Sequence, residues 1–431
     1  RGSSGGDCPS AFRNFPTKQR QTLRFIISIL FISVMMFQCK TSQQPIVDQQ
    51  ETAVVDTMQN DSTAIETSEP KDTLALDTTP PKPTPKLTYK QLQLGKFDIK
   101  ISFFNQLENE KEINLKYPGK LLRKGDSSIA IIPIKRKLKL LGLLKQDSLT
   151  IHFDSAMEAA IIRFQQMHNI NADGLPGRNT FRFLSWPISK YIQTLEGYRE
   201  KINQQTDSLP PTRIEINIPE YKLRFFDHDT LVQIFDVIVG KYKTQTPILT
   251  SKVDYLVFNP CWTVPHRIAV KSMLPRMKND SLYLDKRNMF VTRNGEIVDH
   301  HEIDFTACTK DDFPYKIYQN TSRWNALGKV KFMFDNPYNV YLHDTPSKYL
   351  FRKDFRTFSS GCIRVNHAMK LAQLMLDADQ NNAIIKNKLA KGFPVKVYLH
   401  APIPIIIKYQ TVSYNEHLNI VQFFYDCYGL D

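Results

Sequence analysis

The spacing of apolar positions changes along the chain, and each change marks a different kind of structure. Between residues 124 and 186 the period is helical. In "IAIIPIKRKLKLLGLL", Ile134, Leu138 and Leu141 fall on one face and Gly142 supplies a stop. In "DSAMEAAIIRFQQMHN", Met157, Ile161 and Phe164 share a face, and Ser155 with Glu158 makes a capping-box pattern that predicts the helix start. "NADGLPGRNTFRFL" then predicts a Gly- and Pro-rich turn and a short third helix, so this stretch reads as three short helices around one small core. From about residue 212 the period drops to two. Ile214, Ile216 and Ile218 alternate with polar residues, as do Tyr221, Leu223 and Phe225, and "DHD" at 227–229 is a turn before "LVQIFDVIVG". Further strands are predicted at "YNVYLH" and "PVKVYLH", and a helix at "NHAMKLAQLML". The interval from about 265 to 322 breaks the strand pattern and is dense in Lys, Arg and Asp. It reads as a partly helical insertion lying over or beside the sheet, of a length typical of lids and binding loops.

Ahead of these stretches the composition is not globular. Arg13, Lys18, Arg20 and Arg24 precede the uncharged apolar run Phe25 to Phe37, which fits a signal sequence or a short membrane anchor over residues 1–40. The cations before the run put the amino end in the cytoplasm and the rest outside it. Cys39, closing the run, also admits a lipoprotein reading, against which the preceding Gln38 is large for such a cleavage site. Residues 41–88 are rich in Thr, Asp, Gln, Ser and Pro, which cannot bury enough apolar surface to offset ordering entropy, so they read as a flexible tether.

With 431 residues the chain can hold more than one core. Its 57 Lys and Arg against 43 Asp and Glu give a net charge of +14, which suits an anionic membrane surface or an acidic polymer such as cell wall. No zinc-finger spacing, P-loop or nucleic-acid module accompanies that charge, so a nucleic-acid partner is not expected. The 6 cysteines, Cys8, Cys39, Cys261, Cys308, Cys362 and Cys427, lack the paired short spacings of a disulfide scaffold or a zinc framework. Cys261 and Cys308 could pair in an oxidising compartment, although single cysteines are more often unpaired packing. His300 and His301 lack the helical pattern of a zinc protease and read as solvated; no metal and no cofactor is expected.

One cysteine stands apart. In "TFSSGCIRVNHA", Cys362 sits beside a glycine, which leaves room for a substrate backbone, and ahead of a basic residue, which favours thiolate. A cysteine nucleophile needs a base, and His343, ending the apolar strand of "VYLHDTPSK", is the best candidate. The loop 344–358 can return the chain so that the two face each other.

The stretch "VYLHDTPSKYLFRKDFRTFSSGCIRV" resembles the signature of the YkuD-type L,D-transpeptidases of bacterial cell walls, with His343, Ser359, Gly361, Cys362 and Arg364 at the expected separations. The similarity continues, to the large periplasmic members, through "INIPEYKLRFF", "VIVGKYKTQTPILTS", "FNPCWTVPHRIA", "NALGKVKFMF" and the terminal "YGLD", while residues 124–186 resemble a three-helix peptidoglycan-binding domain. Ser360 stands where many members have a second histidine, so no second-histidine role carries over. The resemblance implies an α+β protein: a strand-rich mixed β-sandwich over 212–431 with a lid near 265–322, and a helical scaffold over 89–123 and 187–211 around the small domain.

It further implies that Cys362 attacks a tetrapeptide stem and that His343 moves its proton. The amides near Gly361 and Cys362 would form the oxyanion hole. Substrate contacts would come from Arg364, Ser359, Ser360, Tyr341, Arg356, Trp262 and Trp324. For both arginines an ion-pair role competes, and for the tryptophans core packing. The implied partners are peptidoglycan stems as donor and acceptor, glycan strands through the helical module, and the inner membrane through the amino-terminal segment. The implied place is the periplasm, and carbapenems would acylate the same thiol. A non-catalytic wall-binding protein, or a carboxypeptidase using water, is the alternative.

Overall fold

The computed structural model describes residues 89–431 apart from 114, 146–148, 205–208 and 377–380, so the amino-terminal apolar run and the tether lie outside the described residues. Among the described residues no helix is long and apolar enough to cross a membrane.

Five helices come first: α1 Tyr89–Asn105, α2 Ile131–Leu140, α3 Ser155–Met167, α4 Arg178–Leu184 and α5 Ile188–Asn203. The expected helices over 131–184 are present, and Gly142 ends the first of them with φ +71°. The cap of α3 differs by one residue from the capping-box reading. Asp154, not Ser155, is the N-cap, accepting the Met157 N–H at 2.8 Å, and its other oxygen takes the buried Lys135 ammonium. Ile134, Leu138, Met157, Ile161 and Phe164 are wholly buried in one core with Phe97 and Phe104 of α1 and Tyr191 and Leu195 of α5.

The strands follow: β1 Arg213–Asn217, β2 Lys222–Asp227, β3 Thr230–Gly240, β4 Leu249–Phe258, β5 Trp262–Thr263, β6 Met289–Arg293, β7 Glu296–Val298 and β8 Tyr315–Gln319. Then come β9 Val330–Phe334, β10 Leu342–His343, β11 Thr357–Ser359, β12 Ile363–Val365, the helices α6 Ala368–Met375 and α7 Asn381–Ala390, and β13 Val395–Lys408, β14 Val412–Asn415 and β15 Ile420–Phe423. Nine of these form one mixed sheet in the order β11-β3-β12-β10-β9-β4-β13-β1-β2, and β3 pairs with β2 as well, so the sheet closes on itself. The strand-rich α+β reading holds, with a closed sheet in place of two facing ones. The long β3 makes closure possible: its first part pairs with β2 and its last residues with β12 and β11.

The insertion is more β than its charge pattern suggests. β5, β8, β6 and β7 form a separate four-stranded sheet, with short helical turns over 266–277 and a core built from Met273, Leu274, Leu284, Val291 and Ile317. Asn259, at φ +48°, fixes its entry: its side chain donates to the carbonyls of Lys388 and Leu389, at 3.1 and 3.0 Å.

The helical and sheet regions do not part at residue 212. Val412, Tyr414, Val421 and Phe423 of the β14–β15 hairpin lie in the helical core, Gln422 donates to the Gln166 carbonyl at 2.6 Å, and Tyr198 of α5 donates to the Tyr409 carbonyl at 2.7 Å. The end of the chain therefore completes the helical module.

Candidate active site

Parallel pairing of β10 with β12 brings His343 to the cysteine. Leu342 lies opposite Ile363 and His343 opposite Arg364. Leu342 and Ile363 point into the barrel core, wholly buried, so by strand alternation Tyr341, His343, Cys362 and Arg364 share the other face. On the far side of β10, Lys331 of β9 lies opposite His343, with its ammonium 5.7 Å from the centre of the Tyr341 ring. The Tyr341 and His343 rings are 5.7 Å apart. Four expected site residues are thus gathered on one patch, together with Lys331, which the sequence reading missed.

His343 is buried, and its Nδ1 meets the Asp344 carbonyl at 2.5 Å. A carbonyl only accepts, so Nδ1 carries the proton and Nε2 keeps its lone pair. Burial, reinforced by the Arg364 charge, pushes the imidazole pKa down to about 3, and the Asp344 carbonyl only partly opposes this. The ring is a neutral base throughout the physiological range. Burial likewise raises the Cys362 thiol above its ordinary pKa, while hydrogen bonds from Tyr341 and the charges of Arg364 and Lys331 pull it back. The resting pair is therefore thiol and imidazole.

Asp344 is itself held. Its Oδ2 accepts the Lys329 N–H at 2.9 Å, its Oδ1 takes the Lys348 ammonium at 2.5 Å, and its own N–H reaches the Val330 carbonyl at 2.9 Å. Gly328 makes room for it: at φ +61°, a Cβ there would lie 2.3 Å from the Asp344 Oδ2. The "NALGKV" stretch thus orients the base through a glycine and a carboxylate.

The cysteine loop is fixed from below. Gly361 takes φ +125°, and its carbonyl accepts the Thr246 hydroxyl at 2.7 Å. Thr246 Oγ1 also accepts the Gly240 N–H at 2.9 Å, and the Tyr428 hydroxyl takes the Thr246 N–H at 3.1 Å while donating to the Gly240 carbonyl at 2.8 Å. A Cβ on Gly240 would stand 2.0 Å from the Thr244 carbonyl oxygen, so only glycine fits. The "VIVGKYKTQT" and "YGLD" stretches are thereby the floor of the cysteine turn.

The remaining expected site residues fall elsewhere. Ser359 is buried and accepts the Gly361 N–H at 3.1 Å, shaping the turn, and Ser360 beside it is exposed. Arg356 is buried and occupied, donating to the carbonyls of Phe351 and Tyr221 and to Asp236 at 3.1–3.2 Å; it braces the loop where a substrate contact was expected. Trp262 packs on the lid core, whereas Trp324 is 66% exposed beside the lid. Cys308 is a free thiol and Cys261 is disulfide-bonded, so the two do not pair with each other.

Residues 211–397 match the YkuD family, described as the L,D-transpeptidase catalytic domain, and residues 128–184 match a putative peptidoglycan binding domain. The chain carries a YkuD-type L,D-transpeptidase catalytic domain. A curated relative, a putative L,D-transpeptidase of Haemophilus influenzae, is 34% identical over 224 residues, 51% of this chain and 44% of that protein, so the chain spans under half of the relative's length. Among solved structures, an L,D-transpeptidase fragment from Xylanimonas cellulosilytica is 12% identical, covering 68% of this chain and 100% of its own, with a TM-score of 0.23. One from Stackebrandtia nassauensis is 10% identical, covering 69% and 97%, with a TM-score of 0.25. At these scores the structural likeness carries no argument here. Within residues 211–397, His343, Cys362 and Arg364 of the sequence signature are gathered by the pairing of β10 with β12, while Ser359 and Gly361 shape the turn between them.

Proposed function

We propose that this protein is a cell-wall L,D-transpeptidase that forms 3→3 peptidoglycan cross-links through a thioester on Cys362. The observation that carries the reading is the neutral His343, its Nδ1 tied to the Asp344 carbonyl, in the strand beside Cys362 on a face shared with Arg364 and Lys331. In the first half-reaction the Cys362 sulfur attacks the carbonyl of the third stem residue. The bond to the terminal D-Ala breaks, and the thiol proton passes through His343 Nε2 to the leaving amine. In the second, the side-chain amine of a neighbouring stem attacks the thioester, giving its proton to His343, which returns it to the sulfur.

The Cys362 amide is the oxyanion donor, since the Gly361 N–H is already given to Ser359. Arg364, whose Nε is buried without a hydrogen-bond partner, holds a stem carboxylate. The helical module meets glycan strands. The protein works in the periplasm, attached through the Phe25–Phe37 run.

The test is intact-mass spectrometry after incubation with a carbapenem, beside Cys362→Ala. A single covalent adduct missing from the variant supports the reading, and muropeptide digestion then reports whether a stem amine or water resolves the thioester. A folded protein that takes no adduct overturns it in favour of a non-catalytic wall-binding protein.

A further inference from the structure

Two histidines and a carboxylate that the transpeptidase chemistry leaves unused converge in the lid. Asp285 opens a 3₁₀ turn four residues before β6, and His300 and His301 follow β7. The antiparallel pairing of β6 with β7, Val291 opposite Val298, carries both flanks to the same end of the hairpin. There Asp285 Oδ2 lies 3.2 Å from His300 Nε2 and 3.4 Å from His301 Nε2, and the two rings are 4.3 Å apart, inclined at 34°. The three ligand atoms all fall within 4.8 Å of one another, the one such group of three among the described residues.

The geometry differs from that of an ordinary ion pair. His300 Nε2 is buried and makes no hydrogen bond although the carboxylate oxygen is 3.2 Å away, so nitrogen and oxygen are not aimed at each other. Atoms that point to a common centre behave in this way. Nitrogen and oxygen ligands at about 2.0–2.1 Å on a tetrahedral ion stand about 3.3–3.4 Å apart, which matches both spacings. The neighbouring cations do not compete for the carboxylate: the Lys286 ammonium is turned to Asp280 at 2.9 Å, and the Arg287 guanidinium lies over the Tyr283 ring at 3.9 Å. Local turns fix the backbone on both sides. The His301 N–H donates to the Asp299 side chain at 3.0 Å, and the Met289 N–H to the Leu284 carbonyl at 2.9 Å.

We propose that Asp285, His300 and His301 bind one divalent cation of the zinc class, which ties the base of the β6–β7 hairpin to the turn before it. Two imidazoles and a carboxylate are a borderline-soft set that suits zinc over calcium or magnesium, with water completing the tetrahedron. The site is structural and independent of the Cys362 reaction.

The experiment is isothermal titration of the full chain, without an affinity tag and stripped with EDTA, using ZnCl₂. Co²⁺ absorption of the same protein reads the ligand type. One equivalent should bind at about 1 µM or tighter, with a tetrahedral Co²⁺ spectrum free of sulfur charge transfer. His301→Ala should weaken binding by at least about 100-fold. Asp285→Asn, an exposed position whose change leaves the fold in place, should do the same, while Cys362→Ser should bind as the parent does. The inference is overturned if Zn²⁺ does not bind, if Asp285→Asn binds as tightly as the parent, or if the Co²⁺ spectrum shows thiolate ligation.

Discussion

The turn that carries Cys362 and the lid that follows β5 are built on opposite plans. The turn is held by residues far away in sequence: Thr246 and Thr244 from the end of β3, Tyr428 from the carboxyl terminus, and Arg356 against Tyr221 and Asp236. Even the helical module takes part, since Asn171 and Asn179 donate to Asp354 of the His343–Cys362 loop at 2.8 and 2.6 Å. The lid instead has its own sheet and its own core. The contrast teaches that the geometry of the Cys362 turn is over-determined by long-range contacts, while the lid is a locally folded addition. A displaced nucleophile loses its rate steeply, which is a physical reason to tie it from many sides.

The sharpest way to break that contrast is to remove the chemistry itself. Cys362→Ala should abolish carbapenem acylation, and His343→Gln should slow it by about 10²- to 10⁴-fold, with thermal melts of both variants close to the parent. Next in size is the support of the base. Gly328→Ala drives a methyl toward Asp344 at a positive φ, and should cost about 1–3 kcal/mol of stability and slow acylation beyond what its stability loss explains, read by urea unfolding and single-turnover mass spectrometry. Thr246→Val leaves the Gly361 carbonyl and the Gly240 N–H without their shared partner, at a cost of about 1–3 kcal/mol. If it melts like the parent, the floor of the turn is not set by that residue.

Acid should act through two buried histidines, His343 beside the Cys362 turn and His168 in the helical core. His343 and His168 are both held near pKa 3 by burial, against an ordinary value of 6.5. The unfolded chain takes up protons below about pH 6.5 that these two native histidines refuse, so their contribution is full above that pH and is lost progressively toward pH 3. Urea midpoints should fall on acidification, and His168→Phe should flatten the fall. With a neutral His343 taking the proton of a raised thiol, acylation should stay flat across neutral pH and fall only toward the pKa of His343, about 3. A rate that climbs steadily from neutral pH upward would mean that the thiolate forms without His343 as base. The smallest effect belongs to the lid surface. Trp324→Ala, at an exposed side chain, should change stability by no more than about 0.5 kcal/mol.

Much of the site was legible in the sequence. His343 and Cys362 announce themselves by residue type and spacing, and the alternation around Ile214 and Leu223 predicted the strands that carry the sheet. What escaped were residues whose role is to touch something distant. Arg356, read as a substrate contact or an ion pair, is a buried brace. Gly328 and Gly240 lie in stretches that resemble the family, yet their reason is the space taken by the Asp344 side chain and the Thr244 carbonyl. The lid strands were hidden by charge, because that small sheet has exposed faces.

Sequence by itself determined the periods, the start of the helix at Ser155 to within a residue, the stop at Gly142, and which cysteine and histidine to propose as nucleophile and base, because these depend on local backbone preference and intrinsic reactivity. Only the tertiary structure decided that β10 lies parallel to β12, that the carboxyl-terminal hairpin completes the helical core, and that burial keeps His343 neutral. Each of these depends on pairing and desolvation between residues far apart in the chain, which no local pattern encodes.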